Sequence, residues 1–176
     1  GGGLYNRNTQ QGATSFPKAT AINATFSANT STANLGDNIF NGHEAAAVSL
    51  SNTIVAAGSP NCNSALRSLG NNLDSATSCG FNASGDRINS DAKLSAPAFN
   101  GGPIPTLLTL TPQKGSQAID KGNPSVCAAL PINNKDQRGL SRPRDGDGIG
   151  GVLCDIGAAE ADTAVGIRVY IPLIKR

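Results

Sequence analysis

Apolar residues occur along this chain in short bursts separated by Asn, Ser, Thr and Gly, and no burst sustains a helical period. Segments such as Val48-Ser49-Leu50-Ser51 alternate with period two, the signature of a short strand with one face turned inward. Two patterns recur. Gly3-Leu4-Tyr5-Asn6 is echoed by Asn38-Ile39-Phe40-Asn41, 35 residues further on. Asn23-Ala24-Thr25-Phe26 is echoed by Ser51-Asn52-Thr53-Ile54 at an offset of 28. Unequal offsets imply a repeating unit that tolerates insertions, and Thr9–Lys18 is the obvious one. The pattern predicts a solenoid in which successive coils stack and each contacts only its neighbours. A β-sandwich would show the same alternation, but it explains the likeness of neighbouring units less readily.

Beyond Gly70 the loops lengthen. Leu107-Leu108-Thr109-Leu110 predicts a short buried strand and Ala118-Ile119-Asp120 another. A charged, glycine-rich stretch follows, from Asp136-Gln137-Arg138-Gly139 to Asp145-Gly146-Asp147-Gly148. The most hydrophobic run comes last, where Val165, Ile167, Val169 and Ile171 alternate and Tyr170 and Leu173 complete a predicted strand. That strand is expected either to fold back as a cap or to add to a sheet edge of a neighbouring molecule. The organisation expected is one domain. Residues 1–112 form β-helix coils with loop insertions, 113–160 a closing segment, and 161–176 a hydrophobic C-terminal tail.

Composition narrows the picture. The 176 residues include 21 Gly, 18 Asn, 16 Ser and 12 Thr, no Met and no Trp, and only 15% are charged. Helical bundles and coiled coils need far more Leu, Glu, Lys and Ala, so they are excluded. No run reaches the roughly 18 apolar residues of a membrane-spanning helix. The net charge is +2 and the Lys and Arg residues are scattered, which leaves no phosphate-neutralising stripe and argues against nucleic acid. Gly1-Gly2-Gly3 is no translation start, so a processed product or a fragment is expected.

Cys62, Cys79, Cys127 and Cys154 allow three disulfide pairings. None lies in a CxxC and the single histidine, His43, is remote in sequence, which disfavours a zinc site. Cys62 with Cys79 and Cys127 with Cys154 each bracket a polar, glycine-containing excursion, and this favours those two bridges. Disulfides place the chain in an oxidising compartment or outside the cell.

Several motifs resemble a known family. Gly1-Gly2-Gly3-Leu4-Tyr5-Asn6 and Ser51-Asn52-Thr53-Ile54-Val55-Ala56 resemble coil motifs of bacterial secreted right-handed parallel β-helix proteins. Downstream, the chain resembles the C-terminal choice-of-anchor Q domain of such proteins. The matching pieces are Asn61-Cys62, Ser68 to Asp74, Ser78 to Phe81, Asn100 to Pro103 and Gly115 to Asp120. They continue with Asp136 to Gly139, Arg142-Pro143, Cys154 to Ala158, and Glu160. The likeness covers about residues 1–160 and rests on the ordered combination of individually weak pieces. It implies an extracellular or surface-attached β-helix, and it brings no catalytic residues with it.

Candidate chemistry is sparse. Glycoside hydrolysis needs two carboxylates at a set separation. Asp74, Asp86, Asp91, Asp136, Asp145 and Asp147 all read as loop residues, and no pair repeats on one strand face. Five Phe, two Tyr and no Trp leave few sugar-stacking platforms. Nucleophile schemes need a general base, and His43 sits in a turn-like Gly42-His43-Glu44 context. Asp145-Gly146-Asp147-Gly148 resembles the opening of a calcium loop, with Asp155 or Glu160 as completing ligands. The EF-hand spacing itself fails, because its fifth and twelfth positions are Ile149 and Ile156. Asp136-Gln137-Arg138 and Arg142-Pro143-Arg144 interleave charges and predict an internal salt-bridge network. Asn23, Asn29 and Asn82 fit the glycosylation acceptor pattern.

The fold expected is all-β, a right-handed parallel β-helix (solenoid) with a disulfide-stapled C-terminal closing segment. The function expected is non-enzymatic: a secreted or cell-surface structural or adhesive protein, self-associating head to tail into a filament or surface layer. No cofactor is expected apart from calcium at Asp145, Asp147 and Asp155, and cell-surface polysaccharide is a candidate partner. The alternative is a polysaccharide lyase or hydrolase, or a carbohydrate-binding module, on the same scaffold.

Overall fold

In the computed structural model of the chain, residues 3–7, 17–33, 35–42 and 47–162 are described. The fold is all-β, with parallel sheets and, among the described residues, one short α-helix. The strands are β1 (Leu4–Asn6), β2 (Ala19–Ile22), β3 (Thr25–Ser27), β4 (Ile39–Asn41), β5 (Val48–Ser51), β6 (Ile54–Ala56), β7 (Arg67–Ser68) and β8 (Leu73–Asp74). Three parallel stacks result: β1 on β4, β2 on β5 on β7, and β3 on β6 on β8. The chain visits the stacks in the same order on each pass. The third pass touches the first stack through a parallel bridge between Ile39 and Cys62.

Within β1 and β4 the register pairs Leu4 with Ile39, Tyr5 with Phe40 and Asn6 with Asn41, as the first sequence repeat predicts. The second repeat needs correction by one residue. Thr25 pairs with Ile54 and Phe26 with Val55, so Asn23 stands beside Asn52, 29 residues away. A one-residue slip exchanges the faces of every side chain in a strand, so the difference is structural. The register follows the corners. Asn23, Asn52 and Asn71 all adopt left-handed backbone (φ 48°, 48° and 53°), a conformation Asn tolerates better than other non-glycine residues.

The interior between the stacks holds Ile39, Val48, Leu50, Val55, Cys62, Leu66, Cys79 and Phe81, all buried. Ser49 and Ser51 are buried as well, so the middle strand β5 is covered on both faces. Polar side chains run along the turns. Asn29 Nδ2 donates to Asn38 Oδ1 (2.9 Å), Asn38 Nδ2 to Asn61 Oδ1 (2.8 Å), and Asn61 Nδ2 to Asp74 Oδ1 (2.7 Å). This relay satisfies buried amides that would otherwise cost about 1–3 kcal/mol each.

Two expected strands are not formed. Thr109 alone of Leu107–Leu110 is buried, in a single antiparallel bridge to Ala98, and Leu108 is exposed. Ala118-Ile119-Asp120 is buried but lies in a turn. Asp74, read as a loop residue, instead ends strand β8.

Disulfides join Cys62 to Cys79 and Cys127 to Cys154, the pairing favoured by the spacing. On the chain-entropy model each bridge contributes about 3 kcal/mol. The second one anchors α1 (Pro124–Ala128), a short helix capped by Asn123, whose side chain accepts the Ser125 N–H, with Pro124 opening the first turn.

The closing segment does not merely sit on the end of the stacks. It runs along the asparagine corner and ties successive passes together. Asn71 Nδ2 donates to Lys121 O (2.9 Å), Asn52 exchanges two hydrogen bonds with the Asn123 backbone, and Asn23 Nδ2 donates to Cys127 Sγ (3.5 Å). Ile156 then inserts into a second core with Ile54, Leu73, Ala92 and Ala118. Gly157 permits this approach. Its φ is +108°, and a Cβ there would stand 2.7 Å from Ile54 Cδ1.

Candidate functional site

The chemically richest region lies in the closing segment, where charged side chains from residues 136–142 meet those from residues 155–162. Arg138 is 2% exposed and spends its whole fork on neighbours. Nε donates to Asp136 Oδ2 (2.8 Å), Nη1 to Asn100 O (2.8 Å) and to Asp162 Oδ1 (2.7 Å), and Nη2 to Glu160 O (2.8 Å). Burial alone would lower the Arg138 pKa, but the bonds to Asp162 and Asp136 outweigh it and raise it. Arg142, equally buried, donates through Nη2 to Gly157 O (3.0 Å) and Ala158 O (2.7 Å) and pairs with Glu160 at 3.3 Å. The predicted salt-bridge network is therefore present, and it is internal.

Two acids in this network are strongly perturbed. Asp155 accepts N–H groups from Asp120 and Ala161, and Glu160 accepts them from Asp155 (3.0 Å) and Arg144 (2.9 Å). Burial pushes the Asp155 carboxyl up to about 6 despite these donors. Burial and then the Asp155 charge push Glu160 up to about 7, against the pull of Arg142. Burial lowers the Arg142 pKa in turn.

The predicted metal ligands separate. Asp145 and Asp147 come together, and the third carboxylate beside them belongs to Asp120; one oxygen from each lies within 4.8 Å of the others. Asp155 is fully buried and engaged by backbone N–H groups, and Glu160 is similarly engaged. Sequence reasoning missed Asp120 because it reads as part of an apolar strand. The available signal was the Asp120-Lys121-Gly122 turn, in which Asp120 takes left-handed backbone (φ 53°). Burial pushes the Asp120 carboxyl above its ordinary range; the Leu153 N–H opposes this, and the charges of Asp147 and Asp145 add to it.

The other carboxylates brace backbone. Asp74 accepts from Ala76 N and Cys79 N, Asp86 from Asn72 N and Ala83 N, and Asp37 from Ser31 N and Ser59 N. Such positions satisfy turns between passes. Outside, Tyr5 and Phe40 stack at 4.8 Å on the β1–β4 face, with Tyr5 more than half exposed. A cleft of about 800 Å³ between Ala28, Ala57 and Lys93–Pro97 offers only Asp91 and Lys93 as titratable groups.

Of the acceptor asparagines, Asn23 is buried, Asn29 is tied to Asn38, and Asn82 is exposed. His43 lies outside the described residues, as do Val165, Ile167, Val169, Tyr170, Ile171 and Leu173 of the predicted assembly strand. Among the described residues no helix is long and apolar enough to cross a membrane. The two disulfides suggest an oxidising environment. Comparison of the chain with protein-family models, curated proteins and solved structures returns no match.

Proposed function

We propose that this chain is a non-enzymatic extracellular structural or adhesive protein, built as a right-handed parallel β-helix and self-associating head to tail. The observation that carries the reading is the in-register parallel stacking of successive passes, with β1, β2 and β3 at the edge of their sheets among the described residues. Strands β1, β2 and β3 each pair on one side only, and among the described residues no strand takes the other side. Three sets of strand-edge N–H and C=O groups are a template for a further pass of the same geometry. A contact between unlike ends does not close on itself, and repetition of it gives a filament. Parallel crossover connections are right-handed in nearly all proteins, which favours that hand here. The resemblance to bacterial choice-of-anchor Q proteins agrees with this reading, as does the use of carboxylates to brace turns.

The stacked Tyr5–Phe40 pair favours a second reading, a carbohydrate-binding surface on the same scaffold, because aromatic faces pack on sugar rings. Size-exclusion chromatography and negative-stain electron microscopy of the purified chain separate the two. The expected result is concentration-dependent oligomers or filaments that revert to monomers when residues 163–176 are deleted, a cut that spares buried Ala161 and the Asp162 partner of Arg138. Oligomers indifferent to the deletion would make the tail a cap while leaving edge-to-edge assembly in place. A strict monomer that cleaves polysaccharide would overturn the proposal. A strict monomer retained on polysaccharide, and released by Tyr5→Ala, would replace it with the second reading.

A further inference from the structure

The turn at Asp120 and the loop carrying Asp145 and Asp147 meet through their carboxylates. Asp120 is held rigidly: its N–H donates to Asp155 Oδ1 at 2.7 Å and its own Oδ1 accepts the Leu153 N–H at 3.1 Å. Its second oxygen, Oδ2, is buried and has no hydrogen-bond partner, and the residue is 4% exposed. An orphaned carboxylate oxygen is among the more costly groups to bury, and the carboxyl that carries it stands with one oxygen within 4.8 Å of an oxygen of Asp145 and of Asp147. Among the described residues no ion pair reaches any of the three.

The loop carrying Asp145 and Asp147 is pressed onto the turn that carries Asp120. Gly146 makes this possible, since a Cβ there would lie 2.9 Å from Ile119 Cγ2 and 2.9 Å from Ala161 Cβ. The loop therefore has a steric reason to be glycine at this point. Asp145 Oδ1 accepts the Gly148 N–H and Asp147 Oδ1 accepts the Ile149 N–H, which fixes how the two acids leave the loop.

We infer that the orphaned Asp120 carboxylate, with Asp145 and Asp147, forms a calcium site that clamps the 145–153 loop to the Asp120 turn. Calcium is a hard cation that takes six to eight oxygens at about 2.3–2.6 Å, so opposite ligands on one ion stand about 5 Å apart. The three oxygens, all within 4.8 Å of one another, fall inside that span. Magnesium demands a near-ideal octahedron and gives up its waters reluctantly. An exposed loop that supplies two of the three acids suits the more adaptable ion. The bound charge would pair the orphaned oxygen and cancel the repulsion in one step.

Calorimetric titration of the full chain with calcium chloride, after dialysis against EDTA, tests this. One ion is expected per chain, with a Kd of about 10⁻⁴ M, in the range of extracellular calcium modules. Asp147→Asn is expected to weaken binding at least tenfold, and Gly146→Ala, which lifts the loop, similarly. Gly151→Ala is the control, because nothing lies within 4 Å of a Cβ there. Asp120→Asn is expected to abolish binding and yet, in EDTA, to melt no lower than the parent chain, which separates lost binding from lost folding. Absence of calcium binding by the folded parent, or unchanged binding by Asp147→Asn, would overturn the inference. Magnesium binding as tight as calcium binding would overturn the assignment to calcium.

Discussion

Substituting Arg138 by Ala is expected to cost about 4 kcal/mol of folding stability, the loss that follows when one partner of a buried ion pair is removed. Truncation would leave the buried Asp136 charge with backbone N–H donors alone and the carbonyls of Asn100 and Glu160 without their Arg138 donors. It would also open a void where one of the largest fully buried side chains of the protein stands. A single domain has about 5–15 kcal/mol in total, so most of the variant should unfold in moderate urea. Arg138→Lys should recover little, because an ammonium cannot reproduce a planar fork that serves Asp136, Asp162 and two carbonyls together. Lys135→Ala, at an exposed site, should stay within about 0.5 kcal/mol. Urea denaturation followed by circular dichroism measures all three. An Arg138→Ala midpoint close to the parent's would show that the network adds nothing to the fold.

The charge pattern that predicts this network is local, and local patterns are legible in the sequence. Asp136, Arg138 and Arg142 are interleaved within seven positions, too balanced for a basic patch. Disulfide pairing is legible for a similar reason, since each pair brackets its own loop. The register of β1 on β4 follows from residue likeness, because Leu4, Tyr5 and Asn6 meet chemically similar partners. Likeness misleads by one residue at β3 and β6, where it matches Thr25 to Thr53 by type. The structure aligns the left-handed corners at Asn23 and Asn52, and the corner outweighs the likeness of strand residues.

Docking of the closing segment is hidden because its contacts span great sequence distances: Asn23 reaches Cys127 across 104 residues and Asn52 reaches Asn123 across 71. Asp120 is hidden by the apolar company of Ala118 and Ile119. Its neighbours pack into the core while its carboxylate turns toward the Asp145 loop, and no one-dimensional pattern separates those directions.

Raising the pH from 5 to 8 is expected to cost the protein at most about 4 kcal/mol of stability, contrary to the usual behaviour of carboxylates held by hydrogen bonds. The sign follows from the folded-state values. Asp155 rises from 3.8 to about 6 and Glu160 from 4.5 to about 7, so the folded protein holds protons that the unfolded chain releases. Stability is therefore fully present below the unfolded values and is lost as pH climbs through the folded ones. A tenfold difference in proton affinity between the folded and unfolded chain is worth about 1.4 kcal/mol, and between pH 5 and 8 the two acids together reach the stated ceiling. The physical cause is burial first, and the neighbouring carboxylate charges add to it. Asp155, Glu160 and Arg142 share one buried site, and two ionised carboxylates exceed the single cation beside them. Urea titrations at successive pH values, run in EDTA so that no divalent cation contributes, should show a midpoint that falls steadily from pH 5 and levels off near pH 8. Glu160→Gln cannot ionise, and its single amide oxygen can accept only one of the two N–H groups, of Asp155 and Arg144, that the carboxylate takes on separate oxygens. The variant should therefore be less stable at every pH and yet lose most of the fall between about pH 6 and 7.5. A parent midpoint that rises with pH over this range would mean that Arg142 and the backbone N–H donors hold both acids ionised, and that burial is the weaker influence.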